Sequence, residues 1–145
     1  MNVQGKSSFM KKKSGQITLY IIRMTSNGMT EYGPDLFKGS AQYYAKYRPV
    51  YPSSLIRFLV EKFSLNGDQH LLDLGCGTGQ LTMRFSDWCH QIVAIDQEPE
   101  MIEEAKRIHD QLRTGRIEWM EGSLDEYFAS RHERFDLVLI AKAFH

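Results

Sequence analysis

The chain has 145 residues, of which 42% are hydrophobic, 12% aromatic and 25% charged. Those proportions exclude a disordered, collagenous or coiled-coil protein and leave room for one globular domain. Eighteen basic and eighteen acidic residues cancel, so no whole-molecule field draws the chain to nucleic acid or to an anionic membrane.

Residues 1–35 carry Lys6, Lys11, Lys12, Lys13 and Arg23 against Glu31 and Asp35, a net of +3 that leaves −3 on the other 110. They show no sustained period and are expected to form a flexible basic extension. The apolar run Ile17 to Ile22 includes Thr18 and is cut by Arg23, too short to span a bilayer. The composition changes near Met29, before an aromatic stretch from Phe37 to Tyr51, so Met24 or Met29 is expected as the biological start. Residues 36–145 are expected to hold the folded part.

From Pro52 the pattern is regular. Pro52, Ser53 and Ser54 open a helix with Leu55, Phe58, Leu59 and Phe63 on one face, and Asn66-Gly67 closes it. His70 to Leu74 is a first strand, Gly75 to Gly79 a glycine-rich turn, and a helix follows with Leu81, Phe85 and Trp88 on one side. Gln91 to Ile95 is a second strand ended by Asp96. Pro99 opens a helix that faces Met101, Ala105, Ile108 and Leu112 inward and stops at Gly115. Arg116 to Met120 is a third strand, Ser123-Leu124-Asp125-Glu126 a capping box, and Phe135 to Ile140 a fourth strand. Apolar strands alternating with amphipathic helices predict an α/β fold: a doubly wound parallel sheet covered on both faces.

In such sheets ligands bind beyond the carboxyl ends of the strands. Asp73-Leu-Gly-Cys-Gly-Thr-Gly79 sits at that point, where Gly75 and Gly77 let backbone approach a ligand and the following helix start suits an anionic group. Asp96 ends the next strand, where a carboxylate accepts both hydroxyls of a ribose. The combination predicts an adenosine-type cofactor. A nicotinamide dinucleotide fingerprint needs glycine where this chain has Gln80, and Asp73 before the loop would repel a pyrophosphate while suiting an amino group and a sulfonium.

At these residues the chain resembles the class I S-adenosylmethionine-dependent methyltransferases and is identified as a member of that family. Leu71-Leu-Asp-Leu-Gly-Cys-Gly-Thr-Gly79 is similar to its first motif, Val93-Ala-Ile-Asp-Gln-Glu-Pro-Glu-Met101 to its second, and Phe135-Asp-Leu-Val-Leu-Ile140 with Ala141-Lys-Ala-Phe-His145 to its fourth strand and the turn after it. Tyr44-Ala-Lys-Tyr-Arg-Pro-Val-Tyr-Pro52 resembles the opening segment of small-molecule methyltransferases grouped as type 11. The likeness covers about residues 33–145.

The resemblance implies a Rossmann-like sheet, S-adenosyl-L-methionine as cofactor, and methyl transfer to an unidentified, small-molecule acceptor without a metal. Gly75, Cys76 and Gly77 would wrap the methionine end and Asp73 would face its amino group. Asp96 would take the ribose hydroxyls, Gln97 would lie beside the adenine, and Ser123 and Leu124 would border it. Ala141 would offer a backbone carbonyl near the amino group, and Tyr44 and Arg48 would close over the carboxylate. The pattern nominates no catalytic base; His70, His90, His109 and His132 lack metal spacing. Cys76 and Cys89 fit a reducing cytoplasm rather than a disulfide scaffold.

The family's sheet has strand order 3-2-1-4-5-7-6, and this chain ends just after the fourth strand. The expectation is therefore a truncated methyltransferase that retains strands 3-2-1-4 and cofactor-site elements but lacks catalytic competence alone. Phe135 to Ile140 would then be an exposed edge through which chains associate. The alternatives are a non-catalytic cofactor-binding remnant and half of an NAD-dependent oxidoreductase.

Overall fold

The structure, a computed structural model, describes residues 18–22, 41–47, 51–112 and 115–141. Arg48, the turn at 142–145 and the rest of the 1–35 segment lie outside those residues. The elements in chain order are β1 (Thr18–Ile22), α1 (Ala41–Tyr47), α2 (Ser53–Phe63), β2 (His70–Leu74), a 3₁₀ turn (Thr82–Phe85), β3 (Gln91–Asp96), α3 (Pro99–Leu112), β4 (Ile117–Glu121), α4 (Leu124–Ser130) and β5 (Leu137–Ala141). All strands are parallel, in the order β1-β5-β2-β3-β4. The four predicted strands thus hold the order 3-2-1-4.

Two expectations are corrected by β1. Thr18–Ile22 is a strand, not part of a structureless extension, and it pairs with β5 from Thr18↔Leu137 to Ile22↔Ala141. The last strand is therefore not an exposed edge. A bare β5 would leave a row of backbone donors and acceptors unpaired beside five buried apolar residues. A segment rich in β-branched and aromatic residues fills that place.

Each central strand buries both faces, which is why its middle is mainly apolar rather than alternating. On one face Leu71, Ile92, Leu137 and Leu139 pack with Ile56, Leu59, Leu65 and Phe85. On the other, Leu72, Val93, Ile95, Val138 and Ile140 pack with Tyr127 of α4 and with Phe135. Each such side chain contributes about 1.5–3 kcal/mol by leaving water, so these two layers carry the frame on which the strand ends are hung.

Helix details differ from the periodic reading where local hydrogen bonding intervenes. In α2 the buried residues are Ile56 and Leu59, while Phe58 is half exposed. That helix ends earlier than Asn66-Gly67: Ser64 turns left-handed at φ 50° and Leu65 N–H donates to the Val60 carbonyl at 3.0 Å. The predicted helix after Gly79 is only the 3₁₀ turn. Arg84, Ser86 and Trp88 bond three residues back, and the Ser86 hydroxyl takes the Met83 carbonyl at 2.8 Å. Trp88 is left exposed there, while Leu81 and Phe85 are buried. In α3 Met101, Ile102, Glu104 and Ala105 are buried and Leu112 is exposed. Its Glu104 is held by both Nε and Nη2 of Arg107 at 2.7 Å. The Ser123 capping box is present on α4, with Glu126 N–H on Ser123 Oγ and Ser123 N–H on Glu126 Oε2. Among the described residues no helix is long and apolar enough to cross a membrane.

Candidate functional site

The carboxyl ends of β2, β3 and β5 bring together Asp73, the loop from Gly75 to Gly79, Asp96 and Ala141. Tyr51, Asp73, Gly75, Cys76, Thr78, Gln80, Leu81 and Ala141 line a cleft there. The loop is strapped to β3: Gly75 and Cys76 N–H both donate to the Ile95 carbonyl, at 2.8 and 3.1 Å. Gly77 N–H donates to Asp96 Oδ2 at 2.7 Å, with Gly77 at φ +56°, a conformation that suits glycine. Gly79 is fixed by space as well as by its φ of +75°: a Cβ there would stand 2.2 Å from Cη2 of Trp119. The Trp119 indole N–H in turn donates to His109 Nδ1 at 3.0 Å, so His109 Nε2 carries the proton it shares with the Gly115 carbonyl. The glycine spacing is thus read twice, once by the turn and once by an indole packed on it.

Asp96 is already occupied structurally, since its Oδ1 also accepts from Glu98 N–H at 3.0 Å and so steadies the start of α3. Each oxygen keeps a second lone pair for a ligand. Asp73 is 2% exposed. Its Oδ2 accepts from the Thr82 hydroxyl at 2.6 Å, and among the described residues no donor reaches its other oxygen. Burial pushes its carboxyl up from 3.8 to about 7, the Thr82 hydrogen bond pulls the other way, and the charge of Asp96 adds to the rise. Burial also drives the Cys76 thiol well above its ordinary range, with Asp73 and Asp96 reinforcing it, so this cysteine offers backbone rather than a thiolate.

The other predicted residues fall around this centre unevenly. Gln97 is exposed beside Asp96. Ser123 and Leu124 stand where β4 turns into α4, tied to β3 by Gly122 N–H on the Asp96 carbonyl at 3.0 Å. The Ser123 hydroxyl is committed to the capping box, whereas the Leu124 side chain is 38% exposed. Tyr44 belongs to α1. That helix is held near the loop by Gln80 Nε2, which donates to the Ala45 carbonyl at 2.8 Å.

The sequence reading gives no site role to Thr82 and Thr78, uses Gln80 only as the missing glycine of a nicotinamide fingerprint, and does not place Tyr51 in the cleft. Thr78 within the glycine loop and Thr82 just after it are buried polar residues, and a hydroxyl that must find a partner when buried is the available signal. Among the described residues no group of three or more His, Cys, Asp or Glu is placed to hold a metal ion.

Comparison with known proteins agrees with this geometry. A family model described as a methyltransferase domain matches residues 71–145. The chain is 29% identical over 104 residues to a probable S-adenosylmethionine-dependent methyltransferase of Saccharomyces cerevisiae, CRG1, covering 71% of this chain and 35% of that protein. It is 32% identical over 94 residues to the demethylmenaquinone methyltransferase of Leptospira interrogans, covering 63% and 37%. A 23S rRNA (uracil(1939)-C(5))-methyltransferase of Pasteurella multocida is 30% identical over 94 residues, 63% of this chain and 22% of that one. The chain therefore spans between about a fifth and two fifths of these relatives. A SAM-dependent methyltransferase from Thiobacillus denitrificans, solved with S-adenosyl-L-homocysteine, superposes with a TM-score of 0.57 at 21% identity, covering 74% of this chain and 44% of that one. That likeness is one of fold.

Proposed function

The chain belongs to the methyltransferase domain family, and from this premise we propose that residues 36–145 form the cofactor-binding part of an S-adenosylmethionine-dependent methyltransferase acting on a small-molecule acceptor. The observation that carries the reading is the buried Asp73 carboxylate, which lines the cleft with one oxygen engaged by Thr82. A buried acceptor without a donor is completed by a ligand that brings one. An ammonium group supplies both the hydrogen and the opposite charge.

The remaining residues fit the same ligand. The loop backbone at Gly75, Cys76 and Gly77 encloses the methionine end, and Ala141 supplies a strand-end carbonyl on the opposite wall. The spare lone pairs of Asp96 accept the ribose hydroxyls, Gln97 flanks the adenine, and the exposed Leu124 side chain borders it. Ser123 borders it only as the residue that fixes Leu124, because its hydroxyl is spent on the helix cap. Tyr44, on the helix that Gln80 pins, and Arg48, outside the described residues, keep the role that the resemblance implies, closing over the carboxylate. The bound cofactor supplies a methyl group already activated on a sulfonium. The chain's own contribution is positioning and exclusion of water. The free thiols of Cys76 and Cys89 support a cytoplasmic setting.

Isothermal calorimetry with S-adenosylhomocysteine and with NAD tests the reading. Saturable binding of the first and none of the second is expected; binding of NAD alone would overturn it, as would binding of neither.

A further inference from the structure

Thr82 is 0% exposed and sits in the 3₁₀ turn beneath the cleft, nine positions after Asp73 in the sequence. Its hydroxyl donates to Asp73 Oδ2 at 2.6 Å, the one side-chain bond that carboxylate makes among the described residues. The carboxyl group lines the cleft, so a donor fixed on Oδ2 also fixes the rotation of the carboxylate plane and hence the direction of Oδ1. The tight winding of the 3₁₀ turn sets Thr82 against β2 while Leu81 and Phe85 enter the core.

We propose that Thr82 is a positioning residue for ligand binding, which by holding Oδ2 presents Oδ1 of Asp73 to the cationic head group of a ligand in the cleft. The identity of that head group as the cofactor's ammonium rests on the reading above; the positioning itself does not. The titratable groups that bear on Asp73 are Asp96 from β3, which opposes its ionisation, and Cys76 from the loop, whose own ionisation Asp73 opposes. Against burial and Asp96, the Thr82 hydroxyl favours the charged carboxylate. Losing it therefore both frees the rotation and favours the neutral acid, which attracts an ammonium far less.

The test uses the whole chain with T82V, which keeps the shape and removes the donor, T82S, which keeps the donor, and T82A as a second donor-free variant should T82V fail to fold. Carbon NMR follows the Asp73 carboxyl without ligand, assigned with D73N, and calorimetry follows S-adenosylhomocysteine across the same pH range. Wild type should titrate near the expected midpoint of about 7, T82S close to it, and the donor-free variants about one pH unit higher. At neutral pH the donor-free variants should bind S-adenosylhomocysteine about fivefold more weakly, recover as pH rises, and be rescued by T82S. A purely structural threonine would lower the melting temperature in every variant and leave the Asp73 midpoint in place, and that result overturns the proposal. If wild type itself binds no S-adenosylhomocysteine, the cofactor reading falls, while the ligand-free titration still decides the role of Thr82.

Discussion

Replacing Asp73 by asparagine should stabilise the ligand-free protein above neutral pH while weakening ligand binding. The unfolded chain ionises this carboxyl near 3.8, whereas the folded one holds its proton to about 7. Between those values the folded state binds more protons than the unfolded state. Its stability therefore falls as pH rises through that window and levels off above it. Three pH units at 1.36 kcal/mol each set the loss at about 4 kcal/mol. Asparagine never ionises, and its amide oxygen can still accept from Thr82 as the neutral acid does, while the buried NH2 group it brings, without an acceptor, costs about 1 kcal/mol. The variant should then be about 3 kcal/mol more stable than wild type near pH 8.5, and nearly equal to it near pH 4. For a chain of this size that is a rise of about 6–12 °C in melting temperature. Urea denaturation of both proteins at the two pH values reads the difference directly, because every other titrating group cancels. A variant that is less stable at pH 8.5, or that differs by the same amount at both pH values, would refute the burial argument.

Other substitutions probe the frame around the site. Gly79→Ala places a Cβ against the Trp119 ring in a backbone conformation that alanine resists, so a loss of about 3 kcal/mol is expected in urea denaturation. Adding Trp119→Leu should recover the steric share only; full recovery would mean the φ carries no cost. Burial raises the Cys76 thiol well above its usual range and the Cys89 thiol to about 12. Neither should react with iodoacetamide at pH 8 until urea unfolds the chain, and rapid native labelling of either thiol contradicts that. Deleting residues 1–23 removes β1 and bares the β5 edge. Light scattering after size exclusion should then show self-association, and an unchanged monomer of undiminished stability would show that β1 does not protect that edge.

What was readable in advance was whatever local chemistry determines. The four predicted strands, β2 to β5, are short runs bounded by turn residues, and Asp73 and Asp96 fall near the carboxyl ends of β2 and β3, which lie in register up to Leu74↔Ile95. The Ser123 cap was equally legible, since a serine and a glutamate three apart need only each other. The failures occur where a residue answers to a partner distant in sequence or to a competing bond. Thr18–Ile22 carries no period that distinguishes a strand from a loop, and its partner lies at the other end of the chain. Thr82 carries no signal of its own between the glycine turn and the apolar residues Leu81 and Phe85, yet its hydroxyl goes inward to a carboxylate and the predicted helix shortens to a turn. Spacing puts Phe58 and Trp88 on the inner faces, but Ile56 and, with the tighter winding after Gly79, Leu81 and Phe85 take the inner positions.

The parallel union of β1 with β5 also orders the events of folding. Its partners are separated by on the order of a hundred residues, and closing a loop of that length costs about 4 kcal/mol in chain entropy. The pairs β2–β3 and β3–β4 are joined by far shorter crossovers. They can assemble first and raise a nucleus onto which β5 and finally β1 add. The same order runs backward on opening: β1 and the β5 edge it covers exchange their amides through local release, while β2 and β3 exchange only when the whole sheet comes apart. Asp73 and Asp96 ride on those two slow strands. The contacts made by Asp73 and Asp96 therefore stay aligned when the far edge opens, whereas Ala141 on β5 is released with it, and hydrogen exchange should divide the sheet between β5 and β2.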